Sequence, residues 1–329
     1  MMRNAKIIAT GSYAPEQVLT NRYFNELLGE DVDTWLLENL TIRERRWCTA
    51  NESTADLAVR AAEEAIGNAE IAASDLDLIL LSTDTPEYIS PSTASVIQYR
   101  LGAKNAGTFD INAACAGFVT ALDIGAKYII ADPRYNNILV IGAYAMSKYL
   151  DLQDKKTVTL FADGAGAVIL QSTDEDRGYQ GALLQTQGQY HDWMGIYAGG
   201  THQPIDQATL SEKGHLLKFV RKFPKEINPE TWTRMVIRVL HQTDHKPEDI
   251  DMAFFTQINI NSIRETLERL GLGMDKTHTI MDRYAYTGSA CIPMALAEAV
   301  SLGKLHKNDL VVFMGSGGGL AFACAAFKW

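Results

Sequence analysis

"TADLAVRAAEEAI" (54–66) followed by "SDLDLILLST" (74–83) is a phrase that returns as "ETWTRMVIRVLHQT" (230–243) followed by "EDIDMAFFTQ" (248–257). In both, a helix-like segment gives way to an acidic turn and then to an unbroken apolar run. A repeat on this scale decides the fold, because it divides the chain into two similar halves. The echo continues downstream, where "NNILVIGAYAMS" (136–147) matches "NDLVVFMGSGGG" (308–319). Each is preceded by a helix, "CAGFVTALDIGAKYII" (115–130) and "TGSACIPMALAEAV" (287–300). Apolar runs that do not alternate mark strands covered on both faces, and helices between them mark crossover connections. The expected fold is therefore α/β, a five-layered α-β-α-β-α sandwich from two duplicated halves, residues 1–172 and 230–329. The stretch between, 173–229, is rich in Gln, His and Gly ("QTQGQYHDWMGIYAGGTHQP") and reads as a loop-built cap, a usual place for substrate contacts.

A chain of 329 residues with 47% apolar content can fill such a core. A net charge of −10 argues against a nucleic-acid binder, which needs a basic face to neutralise phosphates. The local basic clusters "IRERR" (42–46), "DKK" (154–156) and "KFVRKFPK" (218–225) read as solvated faces. Four cysteines, widely spaced and without a Cys-x-x-Cys pair, indicate neither a zinc site nor a disulfide framework. His241 and His245 share helical spacing but sit in a polar stretch, and no metal is expected. No run of 18 apolar residues occurs and the N-terminus has no signal-peptide apolar segment, so the expected location is the cytoplasm and no membrane is involved.

Cys115, in "FDINAACAGFVTAL" (109–122), follows a strand-like segment and begins a helix. The free N–H groups and dipole of a helix N-terminus would stabilise its thiolate and ready it for attack on a thioester. The plainer reading is a small buried packing residue, and for Cys48, Cys291 and Cys324, which lack this setting, packing is the expectation. Two glycine clusters, "FADGAGAVIL" (161–170) and "GSGGGLAFACAAF" (315–327), match neither a P-loop nor a dinucleotide fingerprint. Both lead into strands, where glycine lets backbone approach backbone or leaves an N–H free for an oxyanion.

In this order and spacing, "DINAACAGFVTAL", "FADGAGAVIL", "DRYAYTGSACIPMAL" (282–296) and "GSGGGLAF" resemble β-ketoacyl-acyl-carrier-protein synthase III of the thiolase superfamily. "TIRERR" (41–46) and "GHLLKFV" (214–220) fit as well. The resemblance covers the whole chain and implies the thiolase-like sandwich, a homodimer, and a coenzyme A or phosphopantetheine thioester as substrate, with no cofactor bound permanently. It makes Cys115 the acylated nucleophile and assigns the oxyanion to the N–H groups of Cys115 and Gly318. The family's histidine lies in a Pro-His-Gln-Ala-Asn segment that reads "FTQIN" (255–259) here, with Thr256 in the histidine's place. Its asparagine lies in Asp-Arg-x-Gly-Asn-Thr, and "DRYAYT" puts Tyr286 there.

The resemblance is thus to a divergent member. In the family, His and Asn donate hydrogen bonds to the malonyl thioester carbonyl; Thr and Tyr hydroxyls can donate too, but neither is a base near neutral pH. Losing one such donor slows chemistry by about 10² to 10³. Acyl transfer is therefore expected to survive better than carbon–carbon bond formation, with Thr256 and Tyr286 orienting the acceptor. The implied setting is fatty acid or polyketide and other secondary-metabolite biosynthesis. Three other readings stay open. One is decarboxylative condensation with Asp84 or Glu87 as base, although an exposed loop carboxylate is the plainer reading of both. Another is a non-catalytic partner subunit of an active homologue, and the third is a cysteine hydrolase using a distant histidine such as His278. For the donor, the resemblance implies that Trp35 stacks on adenine, Asn259 lines the pantetheine tunnel and Lys155 meets phosphate. Asn39 stands where an arginine is expected, which weakens coenzyme A binding and makes acyl carrier protein a plausible donor. Ser90, in register with a pocket-blocking aromatic, implies a wider acyl pocket.

Overall fold

The computed structural model describes residues 3–329. Five strands form the first sheet: β1 (Asn4–Tyr13), β2 (Leu78–Ser82), β3 (Gly107–Ile111), β4 (Asn137–Ala145) and β5 (Asp163–Thr173), in the order β1-β5-β4-β2-β3. Four form the second: β6 (Gly178–Thr186), β7 (Ile250–Phe255), β8 (Leu310–Gly317) and β9 (Ala321–Lys328), in the order β7-β8-β9-β6. The patterns correspond. β2 runs parallel to β4, and β5 antiparallel to β4 and β1; likewise β7 is parallel to β8, and β9 antiparallel to β8 and β6. The counterpart of β3 is reduced to one parallel bridge between Thr277 and Ala253.

Side-chain alternation along the central strands builds the layers. Leu78 and Leu80 of β2 join the middle core with Val140, Phe118 and Leu296, while Ile79 and Leu81 face the alanines of α1 (Thr54–Asn68). On β7, Met252 and Phe254 enter the middle core, and Ala253 and Phe255 meet Trp232 and Val236 of α4 (Ile227–Gln242). Burial of each large apolar side chain stabilises the fold by about 1.5–3 kcal/mol. A strand that feeds two cores has no polar face, which is why the runs do not alternate. Outside the sheets lie α1 and α2 (Thr93–Leu101) on one flank and α4 and α5 (Ile260–Arg269) on the other. Between them lie α3 (Gly117–Ala131) and α6 (Cys291–Ser301). The stretch 114–131 is apolar enough to cross a membrane by composition, and that apolarity serves its place between two sheets. The five layers are those read from the repeat.

One boundary changes. The segment 173–229 is not all cap, because β6 pairs with β9 along Gly178–Thr186 and starts the second half. As an edge strand it is only half buried, so "GYQGALLQT" lacks the apolar run that marks the inner strands. The cap proper is the remainder, with a small ribbon pairing Met194–Gly195 to Lys218–Phe219 and an aromatic cluster of Tyr190, Trp193 and Phe223.

Candidate active site

The carboxyl ends of β2, β3 and β4 open toward the N-termini of the two inner helices, the position at which α/β sheets place their sites. Cys115 arrives there on a tight turn. Ala114, directly before it, has φ 46°, a left-handed conformation that costs a non-glycine residue roughly 1–2 kcal/mol. The turn closes through Ala116 N–H to Ala113 O (3.1 Å) and Gly117 N–H to Ala114 O (2.9 Å). Tyr286 arrives in a similar way: Ala285 before it has φ 48°, and Tyr286's own backbone is fixed by hydrogen bonds to Leu160 O (3.1 Å) and from Ala162 N–H (2.9 Å).

Both glycine clusters allow close backbone approach. A Cβ on Gly317 would fall within 3.0 Å of Cys115 N, and one on Gly315 would lie 2.9 Å from Ala116 Cα, so β8 reaches the cysteine turn only without side chains. In the first cluster, Gly164 and Gly166 make the same concession to Met294 of α6. Gly317 is thus the glycine against Cys115. A Cβ on Gly318 would meet Met194 O of the cap at 3.4 Å.

The thiol itself differs from expectation. Cys115 is 3% exposed, and burial raises its pKa well above the ordinary thiol value; Asp84 raises it further, and so does Cys291. Only the Tyr286 hydroxyl, donating to the sulfur, and the local backbone act in the other direction. The helix N-terminus does not leave a resting thiolate, because desolvation of the charge outweighs it. Burial also raises the pKa of Tyr286 and Tyr144, so both hydroxyls keep their protons and serve as donors. Phe161 stands between their rings, 5.4 Å from Tyr286 and 6.4 Å from Tyr144.

Thr256 is fully buried, and its hydroxyl is occupied: it accepts from Ser316 N–H (2.8 Å) and points its proton at Ser316 O (3.2 Å). It ties the end of β7 to β8 and has no second proton with which to orient an acceptor. His278 is engaged through both ring nitrogens, with Glu298 at 2.8 Å and Lys304 at 2.9 Å, which removes it as a partner for Cys115. The two loop carboxylates separate clearly. Glu87 accepts from Ala55 N–H at the start of α1 (3.1 Å) and lies 4.0 Å from Arg100. Asp84 is no exposed loop acid: the residue is partly buried, its Oδ1 is closed off from solvent without a hydrogen-bond partner, and burial raises its pKa to about 6. Ser90 lies on an exposed loop beside Ile89, which is 87% exposed, and faces solvent in this chain.

Sequence reasoning missed Tyr144 and Phe161, and missed that the packing cysteine Cys291 adjoins Cys115. Cys291 begins α6 as Cys115 precedes α3, and its sulfur accepts from Gln257 N–H (3.4 Å). The paired helices of the repeat were the signal for it. Of the residues expected at the donor site, two lie on neighbouring helices and the third pairs elsewhere. Trp35, 57% exposed on the helix Asp33–Leu40, lies near the start of α5, because Asn261 donates to Asn39 O (3.1 Å) and Asn259 caps α5. Lys155 is ion-paired with Glu30 at 2.9 Å.

Comparison with known proteins gives this geometry a family. The model of 3-oxoacyl-[acyl-carrier-protein] synthase III matches residues 109–188, and that of its C-terminal region residues 240–329. The β-ketoacyl-[acyl-carrier-protein] synthase III of Clostridium perfringens is 37% identical, covering 99% of this chain and all of that one. The same enzyme of Natranaerobius thermophilus is 36% identical over the full length of both chains. The crystal structure of 3-oxoacyl-[acyl-carrier-protein] synthase III from Aquifex aeolicus VF5 superposes with a TM-score of 0.89 at 31% identity, covering 99% of this chain and all of that one. A buried cysteine on a strained turn, closed over by glycines of the duplicated half, is thus carried by a chain that belongs to the 3-oxoacyl-[acyl-carrier-protein] synthase III family.

Proposed function

We propose that Cys115 takes an acyl group from acyl-coenzyme A or an acyl carrier protein and passes it to an acceptor within fatty acid or polyketide biosynthesis. The acyltransferase class follows from family membership. The observation that carries the assignment to Cys115 is its turn at the head of α3, with Gly317 packed against its amide. In the proposed step the sulfur attacks the thioester carbonyl, the N–H groups of Cys115 and Gly318 hold the oxyanion, and the Tyr286 hydroxyl stays close to the sulfur as a donor. Trp35 and Asn259 are the proposed contacts of the donor's nucleotide and pantetheine. Lys155 would have to leave Glu30 to meet a phosphate, whether that of coenzyme A or that of a carrier protein's phosphopantetheine. A homodimer in the cytoplasm, with no resident cofactor, completes the reading.

With Thr256 committed to Ser316 and the Tyr286 hydroxyl donating to the Cys115 sulfur, neither residue in the places of the family's His and Asn has an uncommitted proton, so decarboxylation of a malonyl acceptor should be slow. The test is to load the protein from acyl-coenzyme A and acyl carrier protein, then add a malonyl thioester and follow CO₂ release. The expected result is acylation with little CO₂. Release as fast as in an ordinary family member would overturn the second half of the proposal, and no acylation from any donor would overturn the first.

A further inference from the structure

A buried thiol whose pKa is raised cannot attack a thioester until its proton has somewhere to go. Most groups around Cys115 cannot take it. Tyr286 and Tyr144 are held protonated by burial. Cys291 is a thiol with its pKa pushed up to about 12. Thr256 is tied to Ser316, and Glu87 to the start of α1. His215 also keeps a buried Nδ1 without a partner, but it belongs to the cap and not to the strand ends that converge on the Cys115 turn.

Asp84 remains. It stands just past the carboxyl end of β2, where Ser82 pairs with Ile111 and Thr83 N–H bonds Ile111 O (3.1 Å), one strand away from the Cys115 turn. Its charge is felt by Cys115 from that turn, by Tyr144 from β4 and by Tyr149 beyond it; Glu87 is the other acid on its own loop. No cation is among these groups, and Oδ1 is buried with nothing bonded to it. A carboxylate with an unpartnered buried oxygen, whose charge reaches a protonated nucleophile, is placed to take that proton.

We propose that Asp84 is the base of this site: it receives the Cys115 proton, directly or through one water, as the sulfur attacks, and returns it to the departing pantetheine sulfur. The bond from Cys115 Sγ to the acyl carbon forms, the acyl carbon–pantetheine sulfur bond breaks, and the proton moves from Cys115 to Asp84 to the leaving thiolate. Nothing is oxidised or reduced. An acid with its pKa near 6 is ionised at neutral pH yet basic enough to accept a proton, the poise general bases require. The inference rests on the acyl-transfer reading and adds to it an acceptor for the Cys115 proton.

The experiment compares wild type, D84N and D84E, with C115A as blank. Acylation by octanoyl-coenzyme A is followed by quenched intact-mass measurement, and alkylation by iodoacetamide by the same readout, both across pH 5–9. With Asp84 as base, wild-type acylation rises through about pH 6 and levels off, D84N loses about 10² and its inflection near 6, and D84E recovers part of the rate. Alkylation of D84N is slowed as well. If Asp84 acts only as a charge, its removal eases ionisation of the thiol and D84N reacts with iodoacetamide faster at every pH, which overturns the proposal. An unchanged acylation profile in folded D84N overturns it too. Wild type that no thioester acylates ends the acyl-transfer reading, while the iodoacetamide profiles still decide Asp84 separately.

Discussion

The two halves build the same frame and use it differently. Each sends an inner helix toward the site, and each sets a non-glycine residue at positive φ directly before a side chain there, Ala114 (φ 46°) before Cys115 and Ala285 (φ 48°) before Tyr286. In the proposed reading the first half supplies the nucleophile, together with the carboxylate of Asp84 and the hydroxyl of Tyr144. The second supplies a hydroxyl donor, the glycines of β8 and a cysteine with no reaction to perform, and its counterpart of β3 has shrunk to a single bridge. Duplication therefore fixes positions, whereas the residue at each turn fixes chemistry.

The comparison breaks most sharply at its two cysteines. C115A should lose acylation completely, while C291A, at the matching helix start, should keep a rate within a few-fold of wild type; intact mass of each after incubation with an acyl thioester decides. If C291A abolishes the adduct, the halves share the chemistry. Asp84 gives the next largest effect, on stability. Its folded-state pKa, about 6, lies above the ordinary 3.8, so the folded protein favours the protonated form. The carboxyl is thus best tolerated below about pH 4, and stability is lost as pH rises through 6. D84N should accordingly be more stable than wild type by about 2 kcal/mol at pH 7–8, with the difference vanishing near pH 4, as read by denaturant midpoints at each pH. A variant that is stabler and slower is the signature of a group kept for function.

Smaller changes sharpen the contrast. G317A should cost about 1–3 kcal/mol through forced separation of β8 from the Cys115 turn, and G318A less, because its nearest neighbour would be at 3.4 Å; thermal melts of the pair test this. Y286F removes the donor at the sulfur and should slow acylation by about tenfold, the worth of roughly 1.5 kcal/mol, with thiol ionisation moved to higher pH. A285G relieves a positive φ at the price of chain entropy, so its stability should shift by less than about 1 kcal/mol.

The inner strands and both inner helices were legible in sequence because burial on two faces leaves an unbroken apolar run that little else produces. β6 was not, since one neighbour and a half-exposed face leave only a weak pattern in "GYQGALLQT". Cys115 was legible from its strand-to-helix setting, but its ionisation was not: the helix end is a local feature, while burial and Asp84 arrive from elsewhere in the chain. Asp84 and Tyr144 are 31 and 29 residues from Cys115 in sequence and meet it only because three strand ends converge. Thr256 stands where the apolar run of β7 ends, yet which way its hydroxyl turns depends on Ser316, 60 residues on.

The central claim is that Cys115 carries the acyl group, and intact-mass measurement of wild type and C115A after exposure to a panel of acyl-coenzyme A and acyl-carrier-protein thioesters tests it most directly. One acyl adduct on wild type and none on C115A is the predicted result. An adduct that persists in C115A, or no adduct on wild type with any donor, would contradict it.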